Sequence, residues 1–111
     1  MASQQPGLTA CKSSGNCIFI QKEFSDAESN FKLLKEIVLK LPRTTVLEDS
    51  SNYWKGICRS FVFRFPDELE MLKVNKTVIQ IKSSSRFGAS DIGVNQRRVR
   101  YLLNELDKLK I

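Results

Sequence analysis

Lys82-Ser83-Ser84-Ser85-Arg86-Phe87-Gly88-Ala89-Ser90-Asp91-Ile92-Gly93-Val94-Asn95-Gln96-Arg97-Arg98 joins the two kinds of element in this chain. Before it, Thr77 to Ile81 reads as a strand. Beyond Gly93, Val94 to Leu109 reads as a helix with Val99, Leu102, Leu103, Leu106 and Leu109 on one face. Between these runs lie small residues, side-chain hydrogen bonders and charges, with no apolar pattern of either period. The stretch is expected to lie outside the packed core and to take its order from polar contacts.

Working back from that segment, the apolar period is two. Asn75-Lys76 suits a hairpin turn between Leu69–Met71 and Val78–Ile81. Tyr53 to Phe65 reads as one strand, with Ile57, Phe61, Phe63 and Phe65 on its core face and Ser60, Val62 and Arg64 on the other. Arg59 breaks that face, which marks it as an edge residue or the partner of a buried acid. Asp49 to Asn52 reads as a turn, Thr44 to Leu47 as a strand, and Cys17 to Ile20 as a short edge strand.

Between the last two the period is helical. Ser25-Asp26-Ala27-Glu28 has capping-box spacing, with Ser25 as the cap and Glu28 reaching back. Ala27, Phe31, Leu34, Val38 and Leu41 then share a face, and Pro42 stops the helix. Helices over Asp26–Leu41 and Val94–Leu109 and one half-apolar sheet can bury their apolar faces only against each other. The expected fold class is α+β: a two-layer sandwich, an antiparallel sheet of four to five strands with two helices packed on one face. Phe31, Leu34, Phe61, Phe63, Ile79, Leu102 and Leu106 are the expected core. Residues 1–15 read as a flexible N-terminal tail and residues 16–111 as a single α+β domain.

The 111 residues suffice for one hydrophobic core, and 41% hydrophobic with 27% charged residues is ordinary for a globular chain. No apolar run approaches the roughly 18 to 20 residues of a membrane span, so no transmembrane segment is expected. Met1 to Ala10 is polar, with Pro6 and Gly7, and lacks the regions of a secretory signal. The expected compartment is therefore cytoplasmic or stromal, the alternative being an exported or lumenal mature domain with its signal removed.

Histidine is absent, which removes the commonest general base and transition-metal ligand. Triad hydrolase chemistry is disfavoured, and no catalytic residue, metal ligand or cofactor is assigned. The net charge is +6, with Lys82, Arg86, Arg97, Arg98 and Arg100 against Asp91 alone between residues 82 and 100. Such a bias favours anionic partners or merely a solvated face. Tyr53 and Trp54 stand beside Lys55 and Arg59, yet no RNA-binding aromatic pattern accompanies them, so nucleic acid is a minor alternative.

Three segments carry a family resemblance: Cys11-Lys12-Ser13-Ser14-Gly15-Asn16-Cys17, Phe63-Arg64-Phe65-Pro66-Asp67-Glu68-Leu69-Glu70, and the Ser-x-Ser-Arg-x-Gly-x-Ser-Asp-x-Gly-x-Asn pattern of Ser83 to Asn95. With them the chain, from Cys11 to about Leu109, resembles the domain of unknown function 1499 family of uncharacterised bacterial and plastid proteins. The chain departs from the pattern at Lys82 and Gln96, where the family usually has arginine, and so loses two planar forks suited to phosphate or carboxylate. The resemblance implies a setting among bacteria and photosynthetic lineages, often behind an export signal or membrane anchor. Cys11 and Cys17 form a possible disulfide in an oxidising compartment, while cytosolic conditions favour free thiols; Cys58 reads as core filling.

The Ser83 to Asn95 segment has two readings. On the structural one, Ser85, Ser90, Asp91 and Asn95 bond the loop's own backbone, and Arg86 is a buried or half-buried cation paired with Asp67, Glu68 or Glu70. On the functional one, a glycine-containing loop opening a helix presents N–H groups, with Arg97 and Arg98 in the first turns, to an anion. The candidate binding residues are Lys82, Ser85, Arg86, Ser90, Asp91, Asn95, Arg97, Arg98 and Arg100. The expected function is a non-catalytic interaction or accessory module. It would dock through a basic face on a larger, membrane-associated, photosynthetic assembly, its partner an acidic protein surface or an anionic membrane surface. The alternative is a small-anion-binding protein, or an enzyme, with a pocket built by Ser83 to Arg98.

Overall fold

The computed structural model describes residues 7–12, 15–60, 65–86 and 93–110. Its elements are β1 (Cys17–Glu23), α1 (Ala27–Leu39), β2 (Thr44–Asp49), β3 (Tyr53–Arg59), β4 (Pro66–Lys73), β5 (Val78–Ser85) and α2 (Val94–Leu109). The strands form one sheet in the order β1-β5-β4-β3-β2, every neighbouring pair antiparallel. β2 to β5 form a meander, and α1 crosses the sheet to join β1 on one edge to β2 on the other. Both helices pack on one face and touch each other, α2 over β5 and β1, α1 over β4 and β5. This is the expected α+β two-layer sandwich with five strands.

The cap of α1 lies one residue later than the capping-box spacing suggested. Asp26 is extended, and its Oδ1 accepts from the N–H groups of Glu28 at 3.1 Å and Ser29 at 3.4 Å. Glu28 instead lies 3.9 Å from Lys32 on the surface. After the helix, Arg43 adopts a left-handed φ of 55°, and its Nε donates to the Arg59 carbonyl at 3.1 Å, fastening the turn into β2 to the end of β3.

The core residues Phe31, Leu34, Ile79, Leu102 and Leu106 are buried as expected, while Phe61 and Phe63 lie outside the described residues. The parity of β3 is the reverse of expectation. Trp54, Gly56 and Cys58 face the helices with Met71, Leu69 and Asp67 opposite them, whereas Ile57, buried at 4% exposure but outside the helix-facing cluster, and the exposed Arg59 alternate to the other face. Both parities of this strand carry apolar residues, and the indole, the larger area to bury, sets the choice. Gly56 makes room for it: a Cβ there would stand 2.5 Å from Trp54 Cη2. Arg59 therefore needs no buried acid, the long strand expected through Phe65 ends at Arg59, and Phe65 is 58% exposed.

Candidate functional site

Along the helix-facing side of the sheet the cross-strand rows grade from apolar to polar. Trp54, Met71, Ile81 and Ile20 form one row, Gly56, Leu69, Ser83 and Ile18 the next, and Cys58, Asp67 and Ser85 the third. The strand expected to end at Ile81 thus continues through Ser85, and Ser83 is completely buried. This corrects the expectation that the polar segment stays out of the packed interior. Its described residues Ser83, Ser85, Asn95 and Arg98 do take their order from polar contacts, made at the edge of the core and, for Ser83 and Asn95, inside it.

α2 closes over that polar end. Gly93 takes a left-handed φ of 77°, which glycine adopts without steric cost, and the chain turns into the helix. Asn95, in the first turn, and Arg98, three residues on, then descend on the same side. Arg98 Nη2 lies 3.1 Å from Asp67 Oδ2, and Arg98 Nη1 donates to Ser83 Oγ at 3.0 Å and Asn95 Oδ1 at 2.8 Å. Ser83 Oγ in turn donates to Asn95 Oδ1 at 2.6 Å. Asn95 Nδ2 donates to Ser85 Oγ at 3.0 Å and to the Asn16 carbonyl at 3.2 Å. The Asn95 amide thereby engages both donors and takes two bonds on its oxygen. A buried carboxylate and guanidinium are tolerable only with this degree of pairing.

Of the candidate residues, the structure brings together Ser85, Asn95 and Arg98, adding Ser83 and Asp67. Arg86 is paired with the acidic cluster as expected, though it is not deeply buried, and the more buried pair is made by Arg98 with Asp67. Arg86 is 51% exposed and pairs with Glu68 at 3.4 Å at the surface. Lys82 is set apart, since it lies on the outer face opposite Glu70 and Phe19. Arg97 and Arg100 are exposed on α2. Ser90 and Asp91 lie outside the described residues. A signal for Arg98 was present in its helical phase: it stands one turn from Asn95 and from Leu102, on the buried side.

The acidic cluster is divided by strand alternation, Asp67 inward and Glu68 and Glu70 outward. Lys55 lies 3.9 Å from Glu68, and Tyr53 Oη donates to Glu70 Oε2 at 2.5 Å. Burial, with that carboxylate beside it, pushes the Tyr53 phenol well above its ordinary range. Strand alternation thus separates Asp67 from Glu68 and Glu70, which share the outer face and are engaged there by Lys55, Arg86 and Tyr53. Among the described residues no group of three or more histidine, cysteine, aspartate or glutamate side chains could hold a metal ion, and no helix is long and apolar enough to cross a membrane.

At the same end of the sheet, Cys11 and Cys17 are joined by a disulfide with Cα atoms 5.8 Å apart, and Cys58 is a buried free thiol. Asn16, inside the closed loop, accepts from the Ser85 N–H at 2.8 Å as well as from Asn95. The N-terminal segment is further tied to the sheet where Leu8 N–H donates to Gln80 Oε1 at 2.9 Å.

Residues 7–106 match the model of a family described as Protein of unknown function (DUF1499), and the chain belongs to that family. The matched span takes in the disulfide loop, the whole sheet and the polar network. No curated protein matches the sequence.

Proposed function

We propose that this DUF1499-family member is a non-catalytic interaction module that docks an acidic protein surface onto the exposed side of α2. One observation carries the reading. The side chains best suited to cradle an anion, Ser83, Ser85, Asn95 and Arg98, are engaged with one another and with Asp67. At the start of α2, Arg97 and Arg100 are exposed, beside Tyr101, itself 47% exposed. Positive charge in the first turns opposes the helix dipole, so it does not serve the helix. Arginine beside tyrosine is the composition favoured where protein surfaces meet. The disulfide supports an oxidising compartment, hence an exported or lumenal setting, and the resemblance supports a membrane-associated, thylakoid-type assembly as the partner.

Native mass spectrometry of the protein purified from its own host, wild type against Arg97→Glu/Arg100→Glu at low and moderate salt, tests this. Co-purified subunits should accompany the wild type, weaken with salt, and be missing from the double variant. A retained small anion with no protein partner, or the same subunits on both forms at both salt levels, would overturn it.

A further inference from the structure

We infer that Cys11–Cys17 is a thiol–disulfide exchange site whose reduction by a dithiol unlatches the N-terminal arm from the sheet and from the buried polar network. The inference does not rest on the docking reading. Cys17 opens β1, while Cys11 belongs to residues 7–12, which are outside every strand and helix. The bridge closes a loop whose intervening residues, Lys12, Ser13, Ser14, Gly15 and Asn16, include no apolar side chain. No hydrophobic anchor within the loop can therefore replace the covalent bond. Lys12 and Gly15 are exposed and both bridge sulfurs belong to half-buried residues, so a small or protein dithiol can approach. Cys58 is only 3% exposed and sits in the core, away from such attack.

Within the loop, the Asn16 carbonyl, one residue before Cys17, is wired inward. It accepts from Ser85 N–H on β5 and from Asn95 Nδ2 on α2, whose Oδ1 meets Ser83 and Arg98. The redox state of a half-buried bridge is thus coupled to the junction between β5 and α2. At the other end of the arm, the Leu8 N–H is held by Gln80, which also bonds Gln21 across β1 and β5.

In the exchange, a thiolate of the dithiol attacks Cys11 Sγ, the sulfur–sulfur bond breaks, and Cys17 leaves as a thiolate that takes a proton. The second thiol of the reagent then attacks the mixed disulfide and releases Cys11. Two electrons and two protons pass to the pair, and the dithiol becomes a disulfide. With the staple gone, the Asn16 carbonyl is left to its own bonds at the frayed end of the β1–β5 ladder, and the Ser85 amide opens to solvent more often. Asp67, Arg98 and Ser83 keep their mutual contacts, so the domain stays folded.

Hydrogen–deuterium exchange on the full chain, before and after complete reduction with dithiothreitol, reads this directly. The amides of Leu8 and Ser85 should exchange at least about tenfold faster in the reduced protein, while Met71 and Ile81 in the central strands keep their protection. Cys58 should stay unlabelled by iodoacetamide under native conditions. Cys11→Ser/Cys17→Ser should show the reduced pattern without reductant. Unchanged protection of Leu8 and Ser85 after the gain of two hydrogens has been verified by mass would overturn the latch. Loss of protection throughout the domain, or a bridge that resists the dithiol until the protein is denatured, would overturn it as well.

Discussion

Arg98 reaches across the layer boundary from α2 to Asp67 on β4, a 3.1 Å ion pair with the two side chains only 11% and 6% exposed. Arg98 is also a donor to Ser83 and Asn95, so a single guanidinium links two strands' worth of polar side chains to one helix. A carboxylate in that position without its cation would be an uncompensated buried charge. The pair therefore fixes where α2 must land on the sheet, and with it the side of α2 that carries Arg97 and Arg100 to solvent.

Arg86 and Glu68 make the exposed counterpart of that pair, 3.4 Å apart with half the arginine side chain in water. Solvent screening and side-chain entropy leave such contacts little net worth. Arg86→Ala should lower the unfolding free energy in urea by less than about 1 kcal/mol. A loss of about 3 kcal/mol or more would mean that Arg86 has the buried role assigned above to Arg98.

Gly56 lies under the Trp54 indole, and a methyl group there would meet the ring at 2.5 Å and the Thr45 carbonyl at 3.0 Å. The ring belongs to a fully buried side chain and the carbonyl to paired backbone, so neither yields easily. Gly56→Ala should destabilise by about 1 to 3 kcal/mol, with a change in tryptophan fluorescence of the folded state. Wild-type stability and an unaltered spectrum would show that β3 packs by its other parity.

Tyr53 supplies a pH dependence with a definite sign. Its phenol is raised above the ordinary 10.0, by burial first and by the Glu70 hydrogen bond second. The unfolded chain therefore ionises this group before the folded one does. Its contribution to stability is complete below about pH 10 and declines as the pH rises from there through the folded value. Tyr53→Phe should flatten the alkaline limb of the unfolding free energy measured between about pH 8 and about pH 11. Identical slopes for the two proteins would contradict the placement of the hydroxyl.

The fold class was legible because both helices carry one apolar phase: Phe31, Leu34 and Val38 in α1 and Val99, Leu102 and Leu106 in α2 occupy the core as their spacing demands. The parity of β3 was not, since Trp54 and Cys58 on one side compete with Tyr53 and Ile57 on the other, and only three-dimensional packing decides between them. The serines after Ile81 look like loop because nothing local marks them for burial. Ser83 is acceptable inside only through Asn95 and Arg98, while Asn95 in turn needs a carbonyl 79 residues away in sequence. Contacts of that range leave no periodicity. The helical phase of Arg98 did point inward, but an arginine on an apolar face is ambiguous until its carboxylate is located.

That Asp67, Ser83, Asn95 and Arg98 build the interior rather than a ligand pocket is tested most directly by a double-mutant cycle on Asp67 and Arg98, followed by urea unfolding. Asp67→Leu and Arg98→Met should each destabilise by about 3 to 5 kcal/mol, because each leaves the other charge buried alone. The double variant should lose far less than the sum, a coupling of at least about 2 kcal/mol. Single variants that each lose less than about 1 kcal/mol, with additive effects in the double, would mean that both groups reach water and that the polar cluster is open to a ligand.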